Sequence, residues 1–151
     1  MSKASRYLAI TALLLAATAR SDSPAKPVLS TEDAQMVHLK DVPWAPPKAK
    51  EFPPGALTAL IATDPQTGAS IGYGKFPPGY ALPSHWHSFT EYTVLLSGKA
   101  TFTVDGKAAE LSPGDFIVIA AKAHHRLTCG PGAECVLLTR RAGATDYHWD
   151  M

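Results

Sequence analysis

Short apolar runs separated by turn signals dominate the chain from Leu57 onward. Runs of this length that lack a 3.6-residue period are typical of β-strands rather than of helices. The pattern predicts strands at 57–62, 69–76, 91–96, 99–104, 107–111, 115–119, 125–129 and 134–140. Because so many short strands follow one another at even spacing, we expect an all-β sandwich or small barrel.

Turn-forming residues mark the ends of several of these strands. Asp105-Gly106 stands between the predicted strands 99–104 and 107–111, which is a strong signal for a two-residue hairpin. Proline and glycine also cluster at Pro77-Pro78-Gly79 and at Ser112-Pro113-Gly114. Since these residues favour turns, the strand boundaries agree with the apolar pattern.

The first residues differ from this β pattern. Residues 1–19 carry Lys3 and Arg6, then an apolar run, and end in the small-x-small sequence Ala17-Thr18-Ala19, which is the build of a secretory signal peptide. The apolar run is too short to span a bilayer, which takes about 20 residues. The alternative is an N-terminal helix packed on the domain. We expect export to the periplasm or the medium, with no membrane attachment after cleavage.

A proline-rich stretch connects this segment to the strands. Seven prolines interrupt residues 20–55, so neither a helix nor a sheet ladder can run through it. We predict a flexible leader at 20–35 and an extended arm at 36–55 that lies on the core or covers a partner subunit. The β domain proper then occupies residues 56–151.

Composition and charge narrow the class of protein. The 151 residues are 46% apolar and 18% charged, with a formal net charge of +1. This length fits one globular domain, and the apolar fraction excludes a wholly disordered chain. A balanced charge argues against a nucleic-acid-binding protein, which usually carries a basic stripe.

One cluster of polar residues suggests chemistry. It has the spacing Gly79-x5-His85-x-His87-x3-Glu91-x6-Gly98. Residues an even number apart on a strand point to one face, so we expect the two histidines and the glutamate to converge on one side of one sheet. Imidazole and carboxylate together suit a divalent ion such as Zn, Cu, Fe, Mn or Ni.

A metal site of this kind needs a further ligand from elsewhere in the chain. His124 and His125 supply two candidates on a later strand. Neighbouring strand residues face opposite ways, so only one of them can reach the barrel interior.

The histidine spacing resembles the first conserved motif of the cupin superfamily, G-x5-H-x-H-x3,4-E-x6-G, and every position is filled. The second motif, G-x5-P-x-G-x2-H-x3-N, is similar to the stretch from Gly114, with His125 as its histidine. Three positions depart from that motif, because alanine, lysine and cysteine replace its proline, glycine and asparagine at Ala120, Lys122 and Cys129. The resemblance covers about residues 56–140 and is to small single-domain bacterial cupins.

This resemblance implies a jelly-roll β-barrel that holds a divalent metal ion. The implied ligands are His85, His87, Glu91 and His125, the motif spacing selecting His125 over His124. It further implies a small-molecule substrate or ligand and, by analogy with cupins in general, a homodimer. The function implied is a metal-dependent enzyme of oxygenase or isomerase type, with Glu91 as a catalytic base if it leaves the metal. The alternative is a non-catalytic cupin that binds or senses a metal or small molecule.

The two cysteines leave a choice open. Cys129 and Cys135 bracket a turn-forming segment, and an oxidising compartment would favour a disulfide between them. In the alternative, Cys129 lies an even number of residues from His125 and faces the barrel interior as a free thiol.

Overall fold

The structure, a computed structural model, describes residues 36–150. The predicted signal peptide at 1–19 and leader at 20–35 lie outside the described residues, as does Met151. Within the described range the regular secondary structure is almost all β, with one short 3-10 helix at Leu39–Asp41. No helix in that range has the length and apolar character needed to cross a membrane.

Ten strands form the described part of the domain. They are β1 Leu57–Thr63, β2 Ser70–Phe76, β3 Ala81–Trp86, β4 Glu91–Ser97, β5 Ala100–Val104, β6 Lys107–Leu111, β7 Phe116–Ile119, β8 His125–Cys129, β9 Cys135–Arg141 and β10 His148–Trp149. They pair antiparallel into two five-stranded sheets, with the orders β1-β2-β9-β4-β7 and β10-β3-β8-β5-β6. The two sheets enclose a shared core, which confirms the predicted all-β jelly-roll barrel.

All eight predicted strands are present, with boundaries that differ by no more than one residue. The apolar pattern missed β3 and β10. Pro83 lies inside β3 and disguises it, since proline cannot donate to a ladder and is usually confined to edges or irregular places in a strand. The pairing of β3 with β8 is irregular at this point, between Leu82 and His85. β10 has only two residues, which is too short to give a periodic signal.

The predicted hairpin between β5 and β6 is confirmed. Asp105 and Gly106 have φ angles of 45° and 80°, as a type I′ turn requires at both central positions. This turn fixes the register of β5 against β6, with Val104 opposite Lys107.

Residues 36–55 lie against the barrel of their own chain. Val42 and Phe52 are buried, and Ala45 exchanges two backbone hydrogen bonds with Thr58 at 3.0 and 2.8 Å. The Tyr80 hydroxyl donates to the Pro53 carbonyl at 2.9 Å. The arm is therefore part of the domain surface and covers one side of the barrel interior.

The C-terminal segment meets the arm over the same side. Tyr147 and Trp149 stack with ring centroids 5.4 Å apart, and the Phe52 ring packs edge-on against both of them. β10 continues this segment and pairs with β3, which places Trp149 opposite His85. Both ends of the described chain thus enclose the barrel interior near the conserved-motif histidines.

A disulfide joins Cys129 at the end of β8 to Cys135 at the start of β9, with Cα atoms 5.8 Å apart. Both residues are buried. Because β8 and β9 belong to different sheets, the bond ties the two layers of the barrel together. The disulfide alternative is therefore the one that the structure shows.

Candidate metal centre

Three buried imidazoles meet inside the barrel. His85 lies near the end of β3, His87 directly follows that strand, and His125 begins β8. One ring nitrogen of each lies within 4.8 Å of the other two, and the side chains are 2–3% exposed. Ligands to a single metal ion must approach one another in this way.

Hydrogen bonds to the backbone fix the tautomer of each ring. The Nδ1 atom of every one of the three histidines contacts a backbone carbonyl, which can only accept a hydrogen bond. The carbonyls belong to Pro83 at 2.8 Å for His85, to Ala123 at 3.0 Å for His125, and to Asp146 for His87. Each Nδ1 therefore carries a proton, which leaves Nε2 as the ring nitrogen that a metal would bind, as in known metal-binding histidines.

Burial also keeps two of these rings, those of His85 and His125, neutral. Burial lowers the pKa of His85 to about 3, with a further lowering from His125. Burial lowers the pKa of His125 as well. Neutral imidazole is the form that binds a metal, so protons do not compete for these two sites near neutral pH.

Glu91 enters the same space from the opposite sheet. Its Oε1 accepts a hydrogen bond from the Thr93 hydroxyl at 2.9 Å. Its Oε2 lies 3.1 Å from His87 Nε2 and 2.6 Å from Arg141 Nη2, yet it receives no well-directed hydrogen bond from the described residues. Arg141 is the cation that the described residues place beside this carboxylate. Because the buried Oε2 has no well-directed hydrogen bond, it could still bind a further cation such as a divalent ion.

The charge of Glu91 is set by its neighbours. Burial alone would raise the pKa of this carboxyl group, but the Arg141 guanidinium and the contact with His87 outweigh it and hold the pKa below its usual range. Glu91 is therefore an ionised carboxylate, the form that can bind a metal or accept a proton.

The predicted site residues come together, but not by the predicted route. His85 and Glu91 lie on different sheets, so the expectation that the first motif forms one side of one sheet is wrong. The turn after His87 carries the chain from β3 across the barrel to β4. The side chains of the motif still meet, because each of them points into the barrel interior from its own sheet. Metal binding by Glu91, which lies outside the group of three histidines, remains a prediction.

The other histidines lie elsewhere. His124 is exposed and pairs through Nδ1 with Asp150 at 2.7 Å, so the choice between the neighbouring histidines falls on His125. His148 stacks on the Trp86 ring at 3.8 Å, outside the cluster of three. Lys122, which replaces a motif glycine, has a φ of 65°, a backbone conformation that explains why glycine is favoured there.

Sequence reasoning missed two residues of the site, Arg141 and Tyr147. Arg141 ends β9, and its Nη2 lies 3.2 Å from His87 Nε2 and 3.3 Å from the Tyr147 hydroxyl. The predicted strand ended at residue 140, one residue too early. Inward-facing Leu137 and Arg141 are an even number of residues apart, so the parity of β9 would have placed Arg141 inside the barrel.

A cavity adjoins two of the three histidines, His85 and His125. Its volume is about 230 Å³, and its lining includes His85, His125, Glu91 and Arg141 together with apolar residues of both sheets. Pockets for drug-sized ligands usually measure about 300–1,000 Å³. The cavity therefore suits a small molecule that reaches the candidate metal position.

Comparison with known proteins agrees with this architecture. Residues 72–139 match the family model described as "Cupin domain". Solved cupin structures share the two-sheet barrel. The matched stretch, residues 72–139, is therefore identified as a cupin domain.

Several characterised proteins are similar to it. Dimethylsulfoniopropionate lyase DddW of Ruegeria pomeroyi is 33% identical over 61 residues, which is 40% of each chain. A structure from work on the DMSP lyases RdDddP and RnDddQII superposes with a TM-score of 0.61 at 20% identity, covering 73% of this chain and 63% of that one. The polyketide cyclase RemF of Streptomyces resistomycificus gives 0.60 at 22% identity, covering 79% and 87%. The two structures share the fold.

Proposed function

We propose that the protein is a metal-dependent enzyme that acts on a small organic molecule inside the barrel. The observation that carries the proposal is the cluster of three buried imidazoles, in which one ring nitrogen of each lies within 4.8 Å of the other two and each Nδ1 is held by a backbone carbonyl. The cavity of about 230 Å³ reaches His85 and His125 and gives a substrate access to the metal position. Zn, Cu, Fe, Mn and Ni all accept such ligands.

The residues of the chain divide the work between them. His85, His87 and His125 would hold the ion, and Glu91 would serve as a fourth ligand or, when free of the metal, as a base. A bound divalent ion supplies Lewis-acid chemistry. Arg141 keeps Glu91 ionised, and the apolar walls of the cavity exclude water from the substrate.

The reaction class is open to direct test. The histidine and carboxylate donors are compatible with an oxygenase or an isomerase. The partial similarity to dimethylsulfoniopropionate lyase DddW adds a lyase reaction to these candidates. Dioxygen uptake distinguishes the oxygenase from the other two, which proceed without dioxygen.

The test uses the full chain loaded with each candidate metal and incubated with dimethylsulfoniopropionate and a panel of small organic acids. We expect metal-dependent turnover that is lost in His87→Ala and kept in His124→Ala, since only the first residue belongs to the cluster. Retention of metal without turnover of any compound would contradict the enzyme proposal and favour a binding or sensing role.

We also propose that the protein is exported to the periplasm or the medium. The signal-like residues 1–19 support this, and so does the Cys129–Cys135 disulfide, because cytosolic thiols are kept reduced. Cell fractionation of the producing bacterium tests it, and protein confined to the cytosol would contradict it.

A homodimer is proposed as the assembly in solution. Phe116 and Val118 on the outer side of β7 are 68% and 50% exposed, and Tyr92 beside them on β4 is also exposed. An apolar patch of this kind is commonly covered by a partner. Light scattering would show twice the chain mass, and a monomer at micromolar concentration would contradict the proposal.

A further inference from the structure

Arg141 is a buried cation with unused hydrogen-bonding capacity. Its side chain is 11% exposed and lines the cavity beside the histidine cluster. Within the described part of the chain, its polar contacts all involve Nη2, while the buried Nε donor has no partner. A buried donor without an acceptor is costly, so the described residues leave the hydrogen-bonding capacity of this guanidinium only partly used.

The charges of the site point to the same conclusion. In the structure, the Glu91 carboxylate balances the Arg141 guanidinium across 2.6 Å. The three histidines each direct one N–H to a backbone carbonyl and bring no negative charge to the site. Adding a divalent ion leaves two excess positive charges in a largely apolar cavity. An anionic ligand would offset part of that charge, whereas a neutral or cationic ligand would not.

A second donor stands next to Arg141. The Tyr147 hydroxyl accepts from Arg141 Nη2 at 3.3 Å, which leaves its own proton without an acceptor among residues 36–150. The guanidinium and the phenol together offer several N–H and O–H groups on one side of the cavity. A planar carboxylate matches the planar guanidinium through two parallel hydrogen bonds.

We propose that Arg141, assisted by the Tyr147 hydroxyl, binds the carboxylate group of the substrate, which makes the substrate a small organic acid. The inference rests on the proposed function, because it takes the cavity beside the histidines as the substrate site. Lys48 is the second cation in the cavity lining, but it is exposed on the arm and solvated. Arg141 is the buried one, so its charge is the stronger attraction for an anion.

Binding of propionate to the metal-free full chain, followed by NMR titration, tests the inference without relying on turnover. Glu91 competes with the ligand for Arg141, so Glu91→Gln is expected to raise propionate affinity by about tenfold, the effect of one charge-assisted hydrogen bond. Arg141→Gln is expected to lower the affinity by at least about tenfold. Propionamide, which has the same shape and no charge, should bind no variant measurably.

Arg140→Gln is the matched control, because Arg140 is the neighbouring arginine on β9 and lies outside the barrel over the Tyr92 ring. It removes the same charge and should leave propionate affinity unchanged. If Arg141→Gln fails to fold, Glu91→Gln is compared with the double variant Glu91→Gln/Arg141→Gln. Both variants lack the Glu91 carboxylate, so neither of them buries that charge without its cation. Propionate affinity that is equal in these two variants would overturn the inference.

The outcome is separable from that of the proposed function. Arg141-dependent propionate binding in a protein that turns nothing over would contradict the enzyme proposal alone. Metal-dependent turnover with equal affinity for propionate in Arg141→Gln and the parent protein would contradict the carboxylate inference alone.

Discussion

Glu91 and Arg141 stand directly opposite each other on β4 and β9, and their side chains meet inside the barrel with Oε2 and Nη2 2.6 Å apart. The cross-strand register thus places an anion and a cation next to His87. This pairing keeps a carboxylate ionised in an interior that would otherwise favour its neutral form.

In the metal-free protein, removing one charge of the Glu91–Arg141 pair should destabilise the fold more than removing both charges. Arg141→Gln leaves the Glu91 carboxylate buried without its cation, so we expect the free energy of unfolding to fall by about 3–5 kcal/mol. Glu91→Gln/Arg141→Gln removes both charges and should recover most of that loss. Urea denaturation of the two variants measures the difference. Equal destabilisation in both variants would show that the charges do not stabilise each other.

The adjacent histidines offer a matched pair of metal-binding variants. His125→Ala removes one of the three convergent imidazoles, and His124→Ala removes an exposed ring that pairs with Asp150. Loss of a residue that only hydrogen-bonds to a metal ligand weakens metal affinity by roughly 10–100-fold. We expect His125→Ala, which removes a ligand itself, to weaken zinc affinity by more than that. His124→Ala should bind zinc as the parent protein does. Competition with a coloured chelator measures both affinities, and similar losses in the two variants would contradict the assignment.

The disulfide should contribute measurably to stability. Cys129 and Cys135 are six residues apart in sequence, and closing so short a loop in the unfolded chain is worth about 2 kcal/mol. Reductant should therefore lower the urea midpoint of the parent protein. The double variant Cys129→Ala/Cys135→Ala serves as the control and should show no response to reductant. If the urea midpoint of the parent protein were the same with and without reductant, the disulfide would not be stabilising.

Eight strands were predictable because the local pattern of apolar and polar residues indicates each of them. β4 and β8, for example, bury every second residue, and the same parity places Glu91 and His125 inside. β3 was missed because Pro83 breaks the local signal, although its neighbours on β8 and β10 hold it in the sheet. Tertiary pairing decided that element.

The candidate site was predictable in its histidines and not in its electrostatics. His85, His87 and His125 follow from spacing and from the resemblance to cupins. The parity of β9 indicates that Arg141 faces inward, but its pairing with Glu91 becomes visible only when β4 and β9 are set side by side. The Asp146 carbonyl that orients His87 is a backbone group, so its role depends on the course of the C-terminal segment and on no particular side chain.

Tyr80 should make the fold sensitive to alkali. Burial raises the pKa of Tyr80 to about 12, compared with about 10 in the unfolded chain. The unfolded state therefore loses this proton first, and stability should decline as pH rises from about 10 to 12. Below pH 10 both states hold the proton, so Tyr80 adds no pH dependence there.

Tyr80→Phe should lack this part of the decline, at the cost of the hydrogen bond to Pro53 near neutral pH. Tyr92→Phe, on the outer face of β4, is the matched control and should behave as the parent protein does. Urea denaturation at several pH values between 8 and 12 measures the slopes. Identical slopes in the parent protein and Tyr80→Phe would contradict the prediction.

Anomalous diffraction from a crystal of the zinc-loaded protein, recorded at the zinc absorption edge, tests the central claim most directly. The account predicts one strong peak per chain inside the barrel, at about 2.0–2.1 Å from the Nε2 atoms of His85, His87 and His125. A barrel interior without a peak, or a peak found instead at His124 and Asp150, would contradict it.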